Sequence, residues 1–509
     1  MSKKYYITTP LYYVNDRPHI GHAYTNILCD TFARFHKFLG EDVFFLTGTD
    51  EHGEKIDRTA KEQNVPVQEF VDSIVPRFKE LWEVLDIQYD YFIRTTDEQH
   101  KNTVATILKD LFDKEDIYLG KYQGWYCTPC ESFWTKAQLV EDNCPDCNRA
   151  VQEIEEENYF FKLSKYQDWL IQYIQDNPKF IEPQSRKNEV LGFLKQPLED
   201  LCISRPRNRL HWGIDIPFSE NHVVYVWFDA LTNYISAIGY PDNKKQFEAL
   251  WPADIHIVGK DILRQHVVYW PIMLKALGLP LPKAVFAHGW WTIEGAKVSK
   301  SRGNRVDPHE LVNKYSRDAL RYFLLREINL GMDGTYSEDL LIERLNNDLA
   351  NDLGNLIHRT TSMLEKYFSS KIEIKPEQTK ESPLKDKAFS VKEKVMTSMN
   401  NNDPRGSLSA IWELIVEGNR FIEENKPWSL AKEEKMDELA CVMYHLLETI
   451  RYIGVLLTPF LPETSEKILA QFEISEKPSV SDLENWSQIK SGSEIKKGKP
   501  LFPKVEVEK

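Results

Sequence analysis

Three consecutive segments constrain this chain more than any others. Tyr5-Tyr6-Ile7-Thr8-Thr9 is strand-like, His19-Ile20-Gly21-His22 follows, and Ala23 to Leu39 has the pattern of a helix. Together they predict a buried strand that turns through a glycine between imidazoles into a helix, the opening unit of a doubly wound α/β fold. At such a turn the first backbone N–H groups of the helix lack partners within it and favour phosphate. Gly21 lets a ligand approach the backbone with no side chain in the way. His19 and His22, at i and i+3, face one ligand from the first turn, although alone they fit a pair of hydrogen-bonded structural histidines equally well. Past the middle of the chain, Lys297-Val298-Ser299-Lys300-Ser301 lies between Gly295 and Gly303 and predicts a mobile cationic loop. A lysine-rich loop is usually just solvated. Combined with the two histidines, it suits the charge that builds on a leaving pyrophosphate.

The first 116 residues alternate strand-like and helix-like segments. Glu41 to Thr47 is a short apolar run of the kind buried in a parallel sheet, and Ala60 to Leu85 carries Val71, Val75, Phe78, Leu81 and Leu85 on one helical side. The texture returns after residue 223 in Val223 to Phe228, Ile255 to Val258 and Ala284 to Ala287. Between them, residues 117–224 hold five of the seven cysteines and predict an insertion between two halves of one sheet. From residue 338 the strands are expected to stop. Leu341, Leu345, Leu349, Leu353 and Leu356 start amphipathic segments that continue past Leu469, a helical bundle. The stretch from Pro478, with Lys496-Lys497-Gly498-Lys499, predicts a loosely packed tail.

A chain of 509 residues with 42% apolar content can bury large cores, and no uninterrupted apolar run reaches the length of a membrane span. Met1-Ser2-Lys3-Lys4-Tyr5 shows no apolar signal region, so a cytoplasmic protein without a membrane partner is expected. A net charge of −14 argues against a protein that coats nucleic acid unselectively, although a local basic surface can still hold one RNA strand. Cys127-Thr-Pro-Cys130 and Cys144-Pro-Asp-Cys147, thirteen residues apart, suit four thiolates around tetrahedral Zn²⁺. Such a site has no open position, so one structural ion per chain is expected. Cys29, Cys202 and Cys441 stand alone and read as small buried apolar residues.

These motifs resemble the class I aminoacyl-tRNA synthetases, and within them the methionyl-tRNA synthetases. The resemblance is carried by Thr9-Pro-Leu-Tyr-Tyr-Val-Asn15, Pro18-His-Ile-Gly-His22, Gly48-Thr-Asp50-Glu-His-Gly53, Tyr225-Val-Trp227-Phe-Asp-Ala230 and Gly259-Lys-Asp261-Ile262, and it runs from Lys4 to about Phe472. It implies a doubly wound Rossmann-type parallel sheet split by a zinc-knuckle insertion, followed by an all-α helical-bundle anticodon-binding domain. The division expected is 1–116 and 225–320 for the two catalytic halves, 117–224 for the insertion, and 321–345 for a linker contacting the tRNA stem. Residues 346–477 would form the anticodon-binding domain and 478–509 the tail. The implied activity joins L-methionine to tRNA(Met) through methionyl-adenylate, with ATP and Mg²⁺ and without DNA.

The same resemblance implies ATP contacts from His19, Gly21, His22, Gly259, Asp261, Lys297 and Lys300, of which His19, His22, Lys297 and Lys300 are catalytic. It implies a methionine pocket of Leu11, Tyr13, Asp50, Trp227, Ala230, Tyr234, Ile262 and His266, with Asp50 on the ammonium group and Arg205 supporting the site. Anticodon reading falls to Asn355, Arg359 and Trp428, whose amide, guanidinium and indole suit splayed single-stranded bases. By themselves these three would be an exposed helix face and a buried tryptophan. Val298 departs from the methionine usual in the family's lysine loop but keeps an apolar side chain. Many relatives carry a further RNA-binding domain after the bundle, and the sequence given stops at Lys509, so a monomer is expected.

Two competing readings remain on sequence grounds. Another class I synthetase is one, but the leucine, isoleucine and valine enzymes need a large editing domain that residues 117–224 are too few to hold along with the knuckle. A cysteine enzyme would place zinc beside its amino acid. A non-catalytic zinc-containing RNA-binding protein is the other, and the combination of His19, His22, Lys297 and Lys300 argues against it.

Overall fold

The computed structural model describes residues 3–506 except 16, 129–131, 135, 146, 294–295, 298–305 and 376–380. Its centre is a parallel sheet of seven strands: β1 (Lys4–Thr8), β2 (Tyr12–Tyr13), β3 (Asp42–Asp50), β4 (Tyr91–Arg94), β5 (Ile181–Glu182), β6 (Ile255–Gly259) and β7 (Val285–His288). The order is β2-β3-β1-β6-β7-β5, with β4 also paired to β3. Ile7 of β1 lies between Phe45 and Ile255, apolar on both sides as a sheet covered on both faces requires. Gly48 of β3 has no substitute, because a Cβ there would sit 2.0 Å from the Ile93 carbonyl oxygen of β4.

The helix after β1, α1 (Ile20–Phe38), starts before the expected Ala23. His19 is extended and its Nδ1 accepts from Gly21 N at 3.1 Å, so the imidazole caps the helix in place of the usual hydroxyl or carboxylate. The single helix expected over 60–85 is two, α2 (Glu54–Glu62) and α3 (Val67–Val84). Asn64 takes a left-handed φ of 55°, which ends the first helix, and Pro66 restarts the chain as the cap of the second. α4 (Glu98–Asp113) completes the first half. The run Val223 to Phe228, expected as a strand, is divided: the strand Ser219–Val224 ends and α5 (Val226–Ser236) begins. A short apolar run is buried in either state, so its pattern does not separate them.

Within 117–224, Ile117–Cys127 pairs antiparallel with Gln152–Phe161, and Ser132–Trp134 and Leu201–Cys202 extend that sheet. The region is not wholly apart from the main sheet, because β5 supplies the edge strand beside β7. It is also fastened to the loop after β3, where Trp212 Nε1 donates to the Glu51 carbonyl at 2.6 Å.

After β7 comes a small sheet of β8 (Trp291–Ile293), β9 (Ala296–Lys297) and β10 (Gly334–Thr335), with β8 in the middle. α6 (Arg317–Arg326) lies between β9 and β10 in sequence. The helical region is α7 (Glu338–Arg344), the wider-turned Leu345–Gly354, α8 (Asn355–Phe368), α9 (Pro383–Asn400), α10 (Pro404–Asn425), α11 (Pro427–Lys432), α12 (Met436–Leu457) and α13 (Pro462–Ala470). Leu341, Leu345, Leu349, Leu353 and Leu356 are all buried, as their spacing predicts. By length and composition α12 could cross a membrane, but 94% of its apolar window is buried within the bundle.

Two expectations about the second half fail. A strand pair does occur after residue 338, where Lys371–Ile372 meets Ser493–Glu494. That pairing belongs to the tail, which is closely packed: Leu483, Trp486, Ile489, Ile495 and Phe502 are buried. The buried Glu448 of α12 accepts from Ile489 N at 2.6 Å and pairs with Arg451 at 2.8 Å, and Arg451 Nη1 donates to the Asp482 carbonyl. A few anchors spaced through a polar sequence escape a composition argument.

The bundle and the α/β region share one apolar core that includes Ile7, Phe32, Tyr322, Trp412 and Leu456. A polar link runs through it. Arg321 of α6 is fully buried, pairs with Asp30 of α1 at 2.7 Å, and donates from Nε to the Phe460 carbonyl between α12 and α13 at 3.0 Å. Asp30 also holds Arg34 at 2.7 Å and accepts from Gln88 N at 2.9 Å. Burial works against the Asp30 carboxylate, but Arg34 and Arg321 hold its carboxyl below the usual range. Removing one member of a buried pair leaves a charge without compensation, at a cost of about 3–5 kcal/mol. Arg321→Met is therefore expected to lower unfolding stability by about that amount, measured as the urea midpoint at constant slope; an unchanged midpoint would show the link to be dispensable.

Candidate functional site

Because the chain runs from β1 to β3 on one side and later reaches β6 on the other, a crevice opens at the carboxyl ends of β1 and β6. Ligands of doubly wound sheets bind at such switch points. The first turn of α1 stands there. His22 Nδ1 accepts from His19 N at 3.1 Å, reciprocating the bond from Gly21 N to His19, and the two rings stack with centroids 3.9 Å apart. A Cβ on Gly21 would press against His19 at 2.9 Å, so the glycine permits the stacked cap. Tyr12 meets the His22 ring edge-on at 5.0 Å, which fixes the pair from behind.

Across the crevice, Gly259 ends β6 in register with His288 of β7. His288 Nδ1 donates to the Gly289 carbonyl, which leaves Nε2 as the atom that meets Thr25 Oγ1 of α1 at 2.8 Å. Asp261 follows Gly259 on an exposed turn and its Oδ1 accepts from Trp290 Nε1 at 3.0 Å. Lys297 enters through the backbone of β9, paired with Thr292. The Lys297 side chain and Lys300 lie outside the described residues.

The expected pocket residues come from four places. Trp227, Ala230 and Tyr234 share one face of α5, while Leu11 and Tyr13 follow β1, with Tyr13 in register with Asp50 of β3. Tyr234 O–H reaches His266 Nε2 at 2.7 Å, and His266 Nδ1 donates to the Ile262 carbonyl at 2.8 Å, which sets the tautomer. Burial pushes the His266 imidazole down to about 4, so the ring is neutral. Arg205 is buried, with its guanidinium 4.3 Å from the Tyr225 ring and 5.1 Å from the Tyr126 ring.

Other residues at this site were not foreseen from sequence. Asp229 of α5 receives His52 Nδ1 at 2.6 Å and His100 Nε2 of α4 at 2.7 Å, and His100 Nδ1 meets Ser236 Oγ at 2.8 Å. Burial opposes the Asp229 charge, yet the two imidazoles hold its carboxyl below the usual range. This cluster pins the helix bearing Trp227, Ala230 and Tyr234 to the loop after Asp50. His52 and Asp229 lie inside motifs visible in the sequence. His100, His288 and Trp290 do not, and nothing in their spacing marks them.

In the insertion, the sulfurs of Cys127, Cys144 and Cys147 lie within 4.8 Å of one another, with Cys127 and Cys147 3.5 Å apart. Cys130 lies outside the described residues. Three thiols that close, without a disulfide among them, form a group able to bind a metal and fit Zn²⁺.

On the bundle, Asn355 is exposed at the start of α8, one turn before Arg359. Arg359 pairs with Glu423 at 2.6 Å, and its guanidinium lies 6.0 Å from the Trp428 ring. Trp428 is 41% exposed and not the buried tryptophan its sequence context alone suggests. Lys426, at a left-handed φ of 44°, and Pro427 turn the chain into α11 and bring the indole to the surface.

With this geometry the chain can be set beside known proteins. A family model described as tRNA synthetases class I (M) matches residues 5–155 and 149–361. Another, described as the anticodon binding domain of methionyl tRNA ligase, matches 376–509. The chain is 50% identical to a methionine–tRNA ligase of Caldanaerobacter subterraneus subsp. tengcongensis, over 100% of this chain and 80% of that protein. It is 47% identical to one of Thermotoga maritima, over 99% and 80%. The structure of Mycobacterium tuberculosis methionyl-tRNA synthetase in complex with methionyl-adenylate superposes with a TM-score of 0.93 at 37% identity, covering 98% of this chain and 100% of that one. The free form of that enzyme gives 0.88 at 34% identity, covering 100% and 99%. The switch-point crevice, the cysteine insertion and the helical bundle thus sit in a chain that belongs to the methionyl-tRNA synthetases, class I ligases that activate methionine with ATP and charge it onto tRNA.

Proposed function

We propose the following residue roles in the activation of L-methionine and its transfer to tRNA(Met). The observation that carries them is the first turn of α1 at the switch point, where the His19–His22 cap opens the helix whose Thr25 meets His288, the residue in register with Gly259. A carboxylate oxygen of methionine attacks the α-phosphorus of ATP. The bond from that phosphorus to its bridging oxygen breaks, and pyrophosphate leaves with the electron pair. The carboxylate is already ionised, so the step needs positioning and positive charge but no general base.

His19 and His22 bind the phosphate oxygens in the transition state, and Gly21, which has no side chain, lets the phosphates come close to them. Gly259 and Asp261 hold the adenosine, while Lys297 and Lys300 close over the departing pyrophosphate. Mg²⁺ bound with ATP adds positive charge at the phosphates. Leu11, Tyr13, Trp227, Ala230, Tyr234, Ile262 and His266 enclose the methionine side chain, whose thioether favours aromatic contact, and Asp50 takes the ammonium. A terminal ribose hydroxyl of the tRNA then attacks the methionyl carbonyl carbon and AMP leaves.

One structural Zn²⁺, held by Cys127, Cys130, Cys144 and Cys147, shapes the 117–224 insertion. Residues 321–345 act as the linker meeting the tRNA stem. Asn355, Arg359 and Trp428 of the 346–477 domain read the anticodon, which the exposure of Trp428 beside Arg359 supports. The protein acts in this reading as a monomer in the cytoplasm.

His22→Ala and Lys300→Ala are each expected to lower kcat for methionine-dependent pyrophosphate exchange by about 10²-fold or more, with methionine KM little changed. Wild-type turnover in either variant overturns its role. Metal analysis of reduced protein should find about one Zn²⁺ per chain, lost in Cys144→Ser; full metal content in that variant rules out the proposed ligand set. Because stacking on an aromatic is worth about 1–3 kcal/mol per base, Trp428→Ala should reduce tRNA charging by roughly ten- to a hundredfold and leave pyrophosphate exchange near wild type. An equal loss in both assays makes Trp428 a structural support.

A further inference from the structure

We propose that Trp290 and Asp333 are positioning residues for the nucleotide: together they hold the Asp261 carboxylate where a ribose hydroxyl meets it. The inference rests on the placement of adenosine at Gly259 and Asp261 proposed above. A Cβ on Gly259 would come within 2.6 Å of Asp261 Oδ1, so the carboxylate is folded back over the end of β6 and the glycine makes room for it. Trp290 Nε1 donates to that same oxygen at 3.0 Å. An ionised carboxylate only accepts hydrogen bonds and a ribose hydroxyl can donate one, so the direction of this carboxylate governs how well the sugar is met.

The indole is itself held from two further sides. Lys260 Nζ lies 4.0 Å from the ring centroid, within reach of a cation–π attraction. Asp333 accepts from Trp290 N through Oδ1 at 2.9 Å and from Lys260 Nζ through Oδ2 at 2.6 Å. One carboxylate thus fixes both the backbone of the tryptophan and the cation against its ring. Burial raises the Asp333 carboxyl, but the Lys260 ammonium and the Trp290 N–H outweigh it and keep the carboxyl below the usual range.

Asp333 is well anchored. It immediately precedes β10, whose Gly334 is in register with Trp291 of β8. Gly289 packs so closely that a Cβ there would lie 2.1 Å from the Met332 carbonyl oxygen. The segment carrying Asp333 therefore cannot shift without displacing Trp290, and Trp290 cannot turn without releasing Asp261. Both act on the nucleotide through Asp261, which makes their role one of orientation.

The test is pyrophosphate exchange with ATP, 2′-deoxy-ATP and 3′-deoxy-ATP, on wild type, Trp290→Phe, Asp333→Asn and Asp261→Asn. Trp290→Phe keeps a ring over Lys260 and removes the donor. Asp333→Asn keeps an acceptor for Trp290 N and removes the charge. Loss of one hydrogen bond to a charged group predicts an ATP KM about tenfold higher in each. The preference for ATP over one of the two deoxy analogues should fall by a similar factor, while methionine KM stays unchanged. A general loss of fold lowers kcat for all three nucleotides without touching that preference. If Asp261→Asn abolishes the preference but Trp290→Phe and Asp333→Asn both retain it, the positioning role is overturned and the adenosine placement stands. If Asp261→Asn itself retains the preference, the adenosine placement fails and this inference fails with it.

Discussion

The parallel pairing of β1 with β3 on one side and β6 on the other is the constraint on which the rest of the molecule depends. It reverses the direction in which the sheet is built and so leaves an open crevice at the carboxyl ends of β1 and β6. Each strand delivers its terminal residues there: the His19–His22 cap after β1, Asp50 at the end of β3, Gly259 at the end of β6 and His288 at the end of β7. The crevice is thus assembled from four segments far apart in sequence by hydrogen bonds that carry no information about methionine or ATP. Gly48 shows how tightly the frame is drawn, since β3 and β4 approach too closely there for any side chain.

Around this frame, buried polar groups decide how precisely the site is held. Asp229 gathers His52 and His100 and thereby sets the position of α5, one face of which carries Trp227, Ala230 and Tyr234. The His266 ring is fixed by Ile262 and Tyr234 in a single neutral tautomer, so it adds no charge beside Tyr234. Buried polar groups are costly unless each is satisfied, and a cluster that is satisfied in only one arrangement specifies that arrangement.

The bundle is bound to the catalytic region by the same means at larger scale. Arg321 touches α1 through Asp30 and the α12–α13 junction through the Phe460 carbonyl, and Asp318 on the same helix accepts from Thr464 N at 2.7 Å. α6 therefore buttresses both the helix whose first turn carries the His19–His22 cap and the α12–α13 junction of the bundle. The small sheet adds a second path, since β8 pairs both with β9, where the lysine loop begins, and with β10, which leads into α7. The α/β region and the bundle thus share rigid supports.

The sequence by itself determined what depends on local chemistry. A glycine between two histidines after a β-branched and aromatic run, paired Cys-x-x-Cys units, and leucines at helical spacing each act through neighbours a few residues away, so the doubly wound sheet, the thiol group and the bundle were legible from them. What the tertiary structure decided depends on partners distant in the chain. His19 as a helix cap, the break at Asn64 and Pro66, the division of Val223 to Phe228, and the surface position of Trp428 follow from backbone geometry that apolar periodicity does not encode. The tail packs because Leu483, Trp486, Ile489 and Ile495 find places on α12, and β5 joins the main sheet because β7 offers it an edge. His100 is an ordinary helix residue in sequence and acquires its role only when Asp229, which is 129 positions away, is folded against it. Electrostatic and hydrogen-bond partners act over a few ångströms of space, whatever their separation along the chain, and only the folded structure supplies that proximity.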